Sequence, residues 1–152
     1  MLRILIADDE PLARRAMRRL MAGREDIEIV GEAESVAQTL DLIADTRPDL
    51  IFLDIKLNGG DGFDLIAQAE DPPRIVFVTA HAEYAVDAFA VEAVDYLLKP
   101  VAVERLDAAL ERVQRLLAGA GKEPGGLIEL RSASRVVFAA LSDIAAVRAE
   151  GD

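Results

Sequence analysis

Five short apolar runs alternate along the chain with segments whose apolar residues recur every three to four positions. The runs are "LRILIAD" at 2–8, "IEIVGEA" at 27–33, "DLIFLDI" at 49–55, "RIVFVTA" at 74–80 and "VDYLLKP" at 94–100, and their length and β-branched content predict strands. Between the first two, Leu12, Ala16 and Leu20 are spaced by four behind Pro11, which suits a first helical position, and Gly23 suits the stop. Ser35 and Gln38 have capping-box spacing and open a second helix that ends before Pro48. In the last helix Val103, Leu106, Leu110, Val113 and Leu117 mark one face, while Arg105, Glu111, Arg112 and Arg115 point elsewhere. Strict alternation with short connections predicts an α/β fold, a doubly wound five-stranded parallel sheet with helices on both faces.

The stretch "LIFLDIKLNGGDG" at 50–62 runs four apolar residues straight into Asp54. A lone carboxylate in a strand buried on both faces is costly, so Asp54 sits just past the strand end or has partners. Open parallel sheets bind ligands at the carboxyl ends of their strands. Four of the five predicted ends carry reactive groups: Asp8 and Asp9 on the first, Asp54 on the third, Thr79 on the fourth and Lys99 on the fifth. Three carboxylates in one small pocket repel one another, which favours a raised pKa or a bound divalent cation. Oxygen ligands alone and a single histidine in the chain point to Mg2+. Lys99 would then hold the charge of an incoming phosphoryl group and Thr79 would hydrogen-bond one of its oxygens. An aspartate beside Mg2+ and a lysine can act as a nucleophile and form an aspartyl phosphate. The Lys99–Pro100 bond, in a tight strand-to-helix turn, is expected to be cis.

Composition narrows the picture. A hydrophobic content of 52% over 152 residues argues for one well-cored domain with a little left over. The net charge of -11 disfavours nucleic acid and anionic membrane unless basic residues gather on one face. The absence of cysteine excludes disulfides and thiolate metal sites. "MLRILIADDE" reaches acidic residues too soon for a signal peptide and no stretch has the length of a membrane span, so a soluble, cytoplasmic protein is expected. Neither a GxGxxG nor a P-loop motif follows any strand.

Taken together, "LIADDEP", "LIFLDIKLNGGDG", "VFVTA" and "DYLLKP" resemble the receiver domain of bacterial two-component response regulators, over residues 1–118. The resemblance implies a flavodoxin-like fold. It makes Asp54 the phosphoacceptor, with Asp8, Asp9 and the Lys56 backbone carbonyl as Mg2+ ligands beside it. Thr79 and Tyr96 match the switch pair and Lys99 the phosphate-sensing lysine. His81 falls at the site mouth, where it would tune dephosphorylation. The partner implied is a sensor histidine kinase or phosphotransfer protein, docking beside the first helix, whose Arg14, Arg15, Arg18 and Arg19 form a basic stripe. Such a stripe is more often a solvated face. The protein would catalyse only its own phosphorylation and slow dephosphorylation.

The run "TAHAEYAVDAFAVEAVDYLLKPV" further resembles the LytTR-type regulators, whose output is a mostly β DNA-binding domain. "EYAVDAFAVEAV" is apolar for a surface helix, so phosphorylation is expected to strengthen a homodimer through the fourth helix, fifth strand and fifth helix. "AGAGKEPGG" reads as a linker over 119–126, and 127–152 resembles only the opening of a LytTR-type domain. Its candidate strands near 127–131, 135–139 and 144–148 lack the rest of that domain. If ordered, residues 127–148 are expected to form an intermolecular β assembly, and the chain is expected not to bind DNA specifically. Residues 119–152 hold four basic and five acidic residues, no footprint for phosphate contacts. Two other classes share parts of this pattern. A stand-alone adaptor would signal by binding a protein. A phosphatase of the haloacid-dehalogenase type also uses an aspartate nucleophile, but in a DxD pattern after the first strand, whereas "ADDEP" has adjacent acids.

Overall fold

The structure, a computed structural model, describes residues 1–119. The linker from 120 on and the candidate strands of the tail lie outside the described residues. The sheet contains β1 (Leu2–Ala7), β2 (Ile27–Ala33), β3 (Leu50–Leu53), β6 (Arg74–Thr79) and β7 (Asp95–Leu98), all parallel, in the order β2-β1-β3-β6-β7. A small antiparallel ribbon joins β4 (Lys56–Leu57) to β5 (Gly60–Asp61). The helices are α1 (Pro11–Met21), α2 (Val36–Thr46), α3 (Gly62–Gln68), α4 (Ala85–Ala90) and α5 (Val103–Gly119).

Period-two alternation sorts the strand side chains between two cores. Ile4, Ile6, Leu50, Phe52, Val76, Val78 and Leu97 face α1 and α5, where Met17, Met21, Leu106, Ala109, Leu110 and Val113 meet them. Leu5, Ala7, Ile51, Leu53, Ile75, Phe77 and Tyr96 face the opposite way, against α2, α3 and α4. The central strand is therefore buried on both sides: Leu50 to Leu53 are at most 1% exposed. That double burial is why "LIFL" reads as a continuous apolar run and not as an alternation.

The caps follow the sequence with two departures. Ser35 Oγ accepts the Gln38 N–H at 3.1 Å, but Gln38 Oε1 accepts the N–H of Glu34, one residue before the cap. A complete capping box occurs at α3 between Asp61 and Asp64. Two positions of the predicted helical faces fall outside the core. In α1, Leu12 is 73% exposed, and Met17 with Met21 enters the core. In α5, Val103 is 43% exposed and Ala109 replaces it in the buried stripe. Both outliers lie in the first turn of their helix, where the chain has only begun to run along the sheet. The Lys99–Pro100 bond is cis. No helix among the described residues is long and apolar enough to cross a membrane.

Candidate functional site

Strand order reverses between β1 and β3, which opens a crevice at their carboxyl ends. Asp8 and Asp9 follow the end of β1, and Asp54 follows the end of β3. Backbone bonds fix both positions: the Asp54 N–H donates to the Ala7 carbonyl at 3.0 Å, and the Asp8 N–H to the Ala33 carbonyl at 2.9 Å. Asp8 and Asp54 are buried, Asp9 is half-buried, and one carboxylate oxygen from each lies within 4.8 Å of the others. Asp54 is thus both past its strand and partnered. Its Oδ1 accepts the Ile55 N–H at 2.6 Å, and its Oδ2 accepts a hydrogen bond from Lys99 Nζ at 3.0 Å.

Lys99 is the hub of the pocket. Its Nζ also lies 2.8 Å from Asp8 Oδ2 and 3.7 Å from Glu10 Oε1, while its N–H donates to the Thr79 carbonyl at 2.9 Å. Burial pushes the Asp8 carboxyl above its ordinary range, against the hydrogen bond from Lys99, and the charge of Asp54 adds to the rise. Burial acts to lower the Lys99 ammonium, but its hydrogen bonds to Asp8 and Asp54 outweigh that and hold it above its usual value. Three carboxylates facing one ammonium leave excess negative charge that the pocket's own residues do not balance. An all-oxygen donor set with such an excess fits a hard divalent cation.

Thr79 and Tyr96 meet the pocket through a common intermediary. Thr79 is fully buried, and its hydroxyl accepts the His81 N–H at 3.3 Å. The Tyr96 hydroxyl donates to the His81 carbonyl, its ring lies 6.0 Å from that of Phe77, and burial pushes its phenol up. The His81 main chain thus ties the pair together, while its side chain stays at the rim, 3.5 Å from Glu83. Lys56 is exposed, with Nζ 5.5 Å from the centre of the Tyr84 ring, and its backbone is pinned by pairing with Asp61.

Three further residues shape the pocket without a role in the sequence motifs. Gly62 donates its N–H to the Ile55 carbonyl at 2.7 Å, and a Cβ there would stand 2.8 Å from the Asp54 carbonyl oxygen. The glycine cluster "GGDG" was a visible signal for that close approach. Glu10 reaches Lys99 from the rim, and Arg14 donates to the Asp8 carbonyl at 2.7 Å. Away from the pocket, at the amino end of β7, Asp95 is 2% exposed and is gripped by Arg105 at 3.1 Å and Arg112 at 2.8 Å. Those two arginines read as solvent-facing residues of α5. Their long side chains fold back onto the strand instead.

Comparison with known proteins agrees with this geometry. A family model for the response regulator receiver domain matches residues 4–111. The chain is 41% identical over 118 residues to the sensory transduction protein LytT of Bacillus cereus, covering 76% of this chain and 48% of that protein. It is 44% identical over 117 residues to the transcriptional regulatory protein BtsR of Salmonella typhi, covering 76% and 49%. A match to LytT of Enterococcus faecalis, at 36% identity, extends over 97% of this chain and 65% of that protein. Among solved structures, the response regulatory domain of protein mrkE from Klebsiella pneumoniae superposes with a TM-score of 0.66 at 34% identity, over 80% of this chain and 100% of that one. The receiver (REC) domain of AraT from Geobacillus stearothermophilus gives 0.69 at 29% identity, over 78% and 98%. The chain spans about half the length of the first two relatives. With its five-stranded parallel sheet, its crevice of acids and these relatives, the chain belongs to the response regulator receiver domain family.

Proposed function

We propose that this receiver domain accepts a phosphoryl group on Asp54, from a histidine kinase or phosphotransfer protein, with Mg2+ held by Asp8, Asp9, Asp54 and the Lys56 carbonyl. One observation carries the reading: Lys99 bridges two buried aspartates whose charge, with that of Asp9, exceeds what it can neutralise. When bound, Mg2+ supplies two positive charges that offset this excess and the charge of the phosphoryl oxygens. Asp54 attacks phosphorus through a carboxylate oxygen; the phosphoryl–donor bond breaks and the donor leaves with its electron pair. Ile55 N–H stays on Oδ1, which keeps the carboxylate in one orientation. Lys99 then exchanges its bond to Asp54 for one to a phosphoryl oxygen, and the Thr79 hydroxyl turns from the His81 N–H to another. Because Tyr96 is bonded to the His81 carbonyl, that movement reaches α4, β7 and α5.

Two further readings concern association and output. Phosphorylation strengthens a homodimer across α4, β7 and α5, a reading supported by Val86, 69% exposed on α4. We read residues 1–118 as the receiver, 119–126 as a linker and 127–152 as resembling the start of a LytTR-type DNA-binding domain, so the output proposed is transcription regulation through a domain of that type. The match to LytT of Enterococcus faecalis along nearly the whole chain supports this division. A phosphatase of the haloacid-dehalogenase type is not favoured, because Asp8 and Asp9 are adjacent at the end of β1.

The test is mass spectrometry after incubation with acetyl phosphate, with and without Mg2+. One added phosphoryl group that needs Mg2+ and is lost in Asp54→Asn supports the reading, and undiminished labelling of that variant refutes it. Sedimentation with beryllofluoride tests the dimer: a larger species is expected, and an unchanged mass counts against it.

A further inference from the structure

Arg14 and Arg18 belong to the basic stripe on α1, yet neither simply faces solvent. They lie one turn apart and both reach Glu32 on β2: Arg14 Nε is 3.0 Å from Glu32 Oε1, and Arg18 Nε bonds Oε2. Their side chains differ in exposure, 15% for Arg14 and 48% for Arg18. Only Arg14 makes a second contact. Its Nη1 donates to the Asp8 carbonyl oxygen at 2.7 Å. That oxygen belongs to the peptide joining Asp8 to Asp9, so a bond to it limits how the two carboxylates are presented. Besides Lys99, which holds the Asp8 carboxylate at 2.8 Å, this turn is tied by the Asp8 N–H to Ala33 and the Glu10 N–H to Asp8 Oδ1, at 2.9 and 3.0 Å.

We infer that Arg14 is a positioning residue for the cation site, a fork braced on Glu32 that fixes the Asp8–Asp9 peptide so that both carboxylates are aimed at one ion. This rests on the cation reading above and adds a residue that reading does not contain. Groups that orient metal ligands without touching the metal typically govern affinity by ten- to a hundred-fold. Glu32 has two tasks in this arrangement: it anchors the guanidinium, and it neutralises a positive charge that would otherwise repel a cation. Its carboxyl is held below the usual range chiefly by the hydrogen bond from Arg18, so it stays ionised.

The sign of the effect separates this role from simple charge. Were Arg14 only a nearby positive charge, removing it would strengthen cation binding. As a positioning fork, its removal weakens binding. MgCl2 titrated calorimetrically into the full chain decides between them. Arg14→Gln is expected to raise the Mg2+ dissociation constant about ten-fold or more. Arg14→Lys keeps the charge but cannot span both partners, and is expected to fall the same way. Arg18→Gln removes only the outer contact to Glu32 and is expected to change binding by less than about two-fold. Binding by Arg14→Gln that equals or exceeds that of the parent chain overturns the inference while leaving the cation reading intact. A parent chain with no saturable Mg2+ binding overturns both. Should Arg14→Gln fail to fold, Arg14→Lys carries the test, because it keeps the charge: unchanged Mg2+ affinity there also overturns the inference.

Discussion

Two sets of aspartates lie buried in this domain, and they are treated in opposite ways. Asp95, at the start of β7, receives hydrogen bonds from Arg105, Arg112 and the Tyr96 N–H, so one negative charge meets two positive ones. Asp8 and Asp54, on the rim of the sheet, share a single lysine with Asp9 close by. The first site is electrostatically finished: α5 brings the counter-charges, and the result fastens helix to strand. The second keeps an excess of negative charge that Lys99 does not offset, a set of oxygens that fits a divalent cation. Burial of a carboxylate therefore does not by itself mark a reactive site; a shortage of counter-charge at the mouth of a crevice does.

The sharpest way to break this comparison is to neutralise one acid of each set and measure urea unfolding. Asp95→Asn is expected to destabilise by about 3 kcal/mol, since it weakens charge-assisted bonds and leaves a buried network half-satisfied. Asp54→Asn is expected to cost less than about 1 kcal/mol or to stabilise, because it relieves repulsion among the rim carboxylates. Equal losses would mean that the two sites do not differ in kind.

A somewhat smaller effect is expected beneath the pocket. Gly62→Ala places a methyl 2.8 Å from the Asp54 carbonyl and 3.2 Å from Leu53 and Phe77. The expected loss is about 1–3 kcal/mol by thermal melting, with weaker Mg2+ binding as the Asp54 backbone shifts. A variant that melts normally would show that the floor of the pocket yields.

Acid dependence gives a subtler contrast. The folded-state pKa of Asp8 is raised, so the native chain binds more protons there than the unfolded chain. Its contribution to stability is most favourable at low pH and declines as pH rises from the ordinary carboxylate range through the raised value. Asp26, hydrogen-bonded first by Arg24 and then by Gln114, is held down at about 2. It contributes above the ordinary carboxylate pKa and loses that contribution as pH falls toward about 2. In Mg2+-free buffer, the stability of Asp8→Asn relative to the parent should therefore improve as pH rises, and that of Asp26→Asn should worsen. The same direction for both would refute the assignment.

The smallest expected change leaves both acid sites untouched. Glu92 ends α4 with φ at 61°, and a Schellman pair of bonds runs from Ala93 N–H to Ala88 and from Glu92 N–H to Phe89. Glycine is the residue this conformation favours, so Glu92→Gly should stabilise by about 0.5–1 kcal/mol in the same unfolding assay. A loss would mean that the Glu92 side chain does more than occupy the turn.

The five strands of the parallel sheet and the residues of its rim were legible in the sequence; the small β4–β5 ribbon was not. The legible features follow from short-range physics: apolar runs too long for one-sided burial, caps three residues apart, and acids placed just where strands stop. Because every parallel strand ends on the same edge, Asp8, Asp54, Thr79 and Lys99 could be brought to one crevice without knowing a single distance. Tertiary structure alone decided how long side chains are spent. Leu12 and Val103 have helical spacing yet stay exposed, because first turns overhang the sheet. Arg14, Arg105 and Arg112 have the pattern of solvated residues, yet each bends toward an oxygen brought near by another strand: the Asp8 carbonyl for Arg14, and the Asp95 carboxylate for the other two. No periodicity encodes such contacts, because an arginine reaches across several ångströms to whatever the packing of remote segments places there.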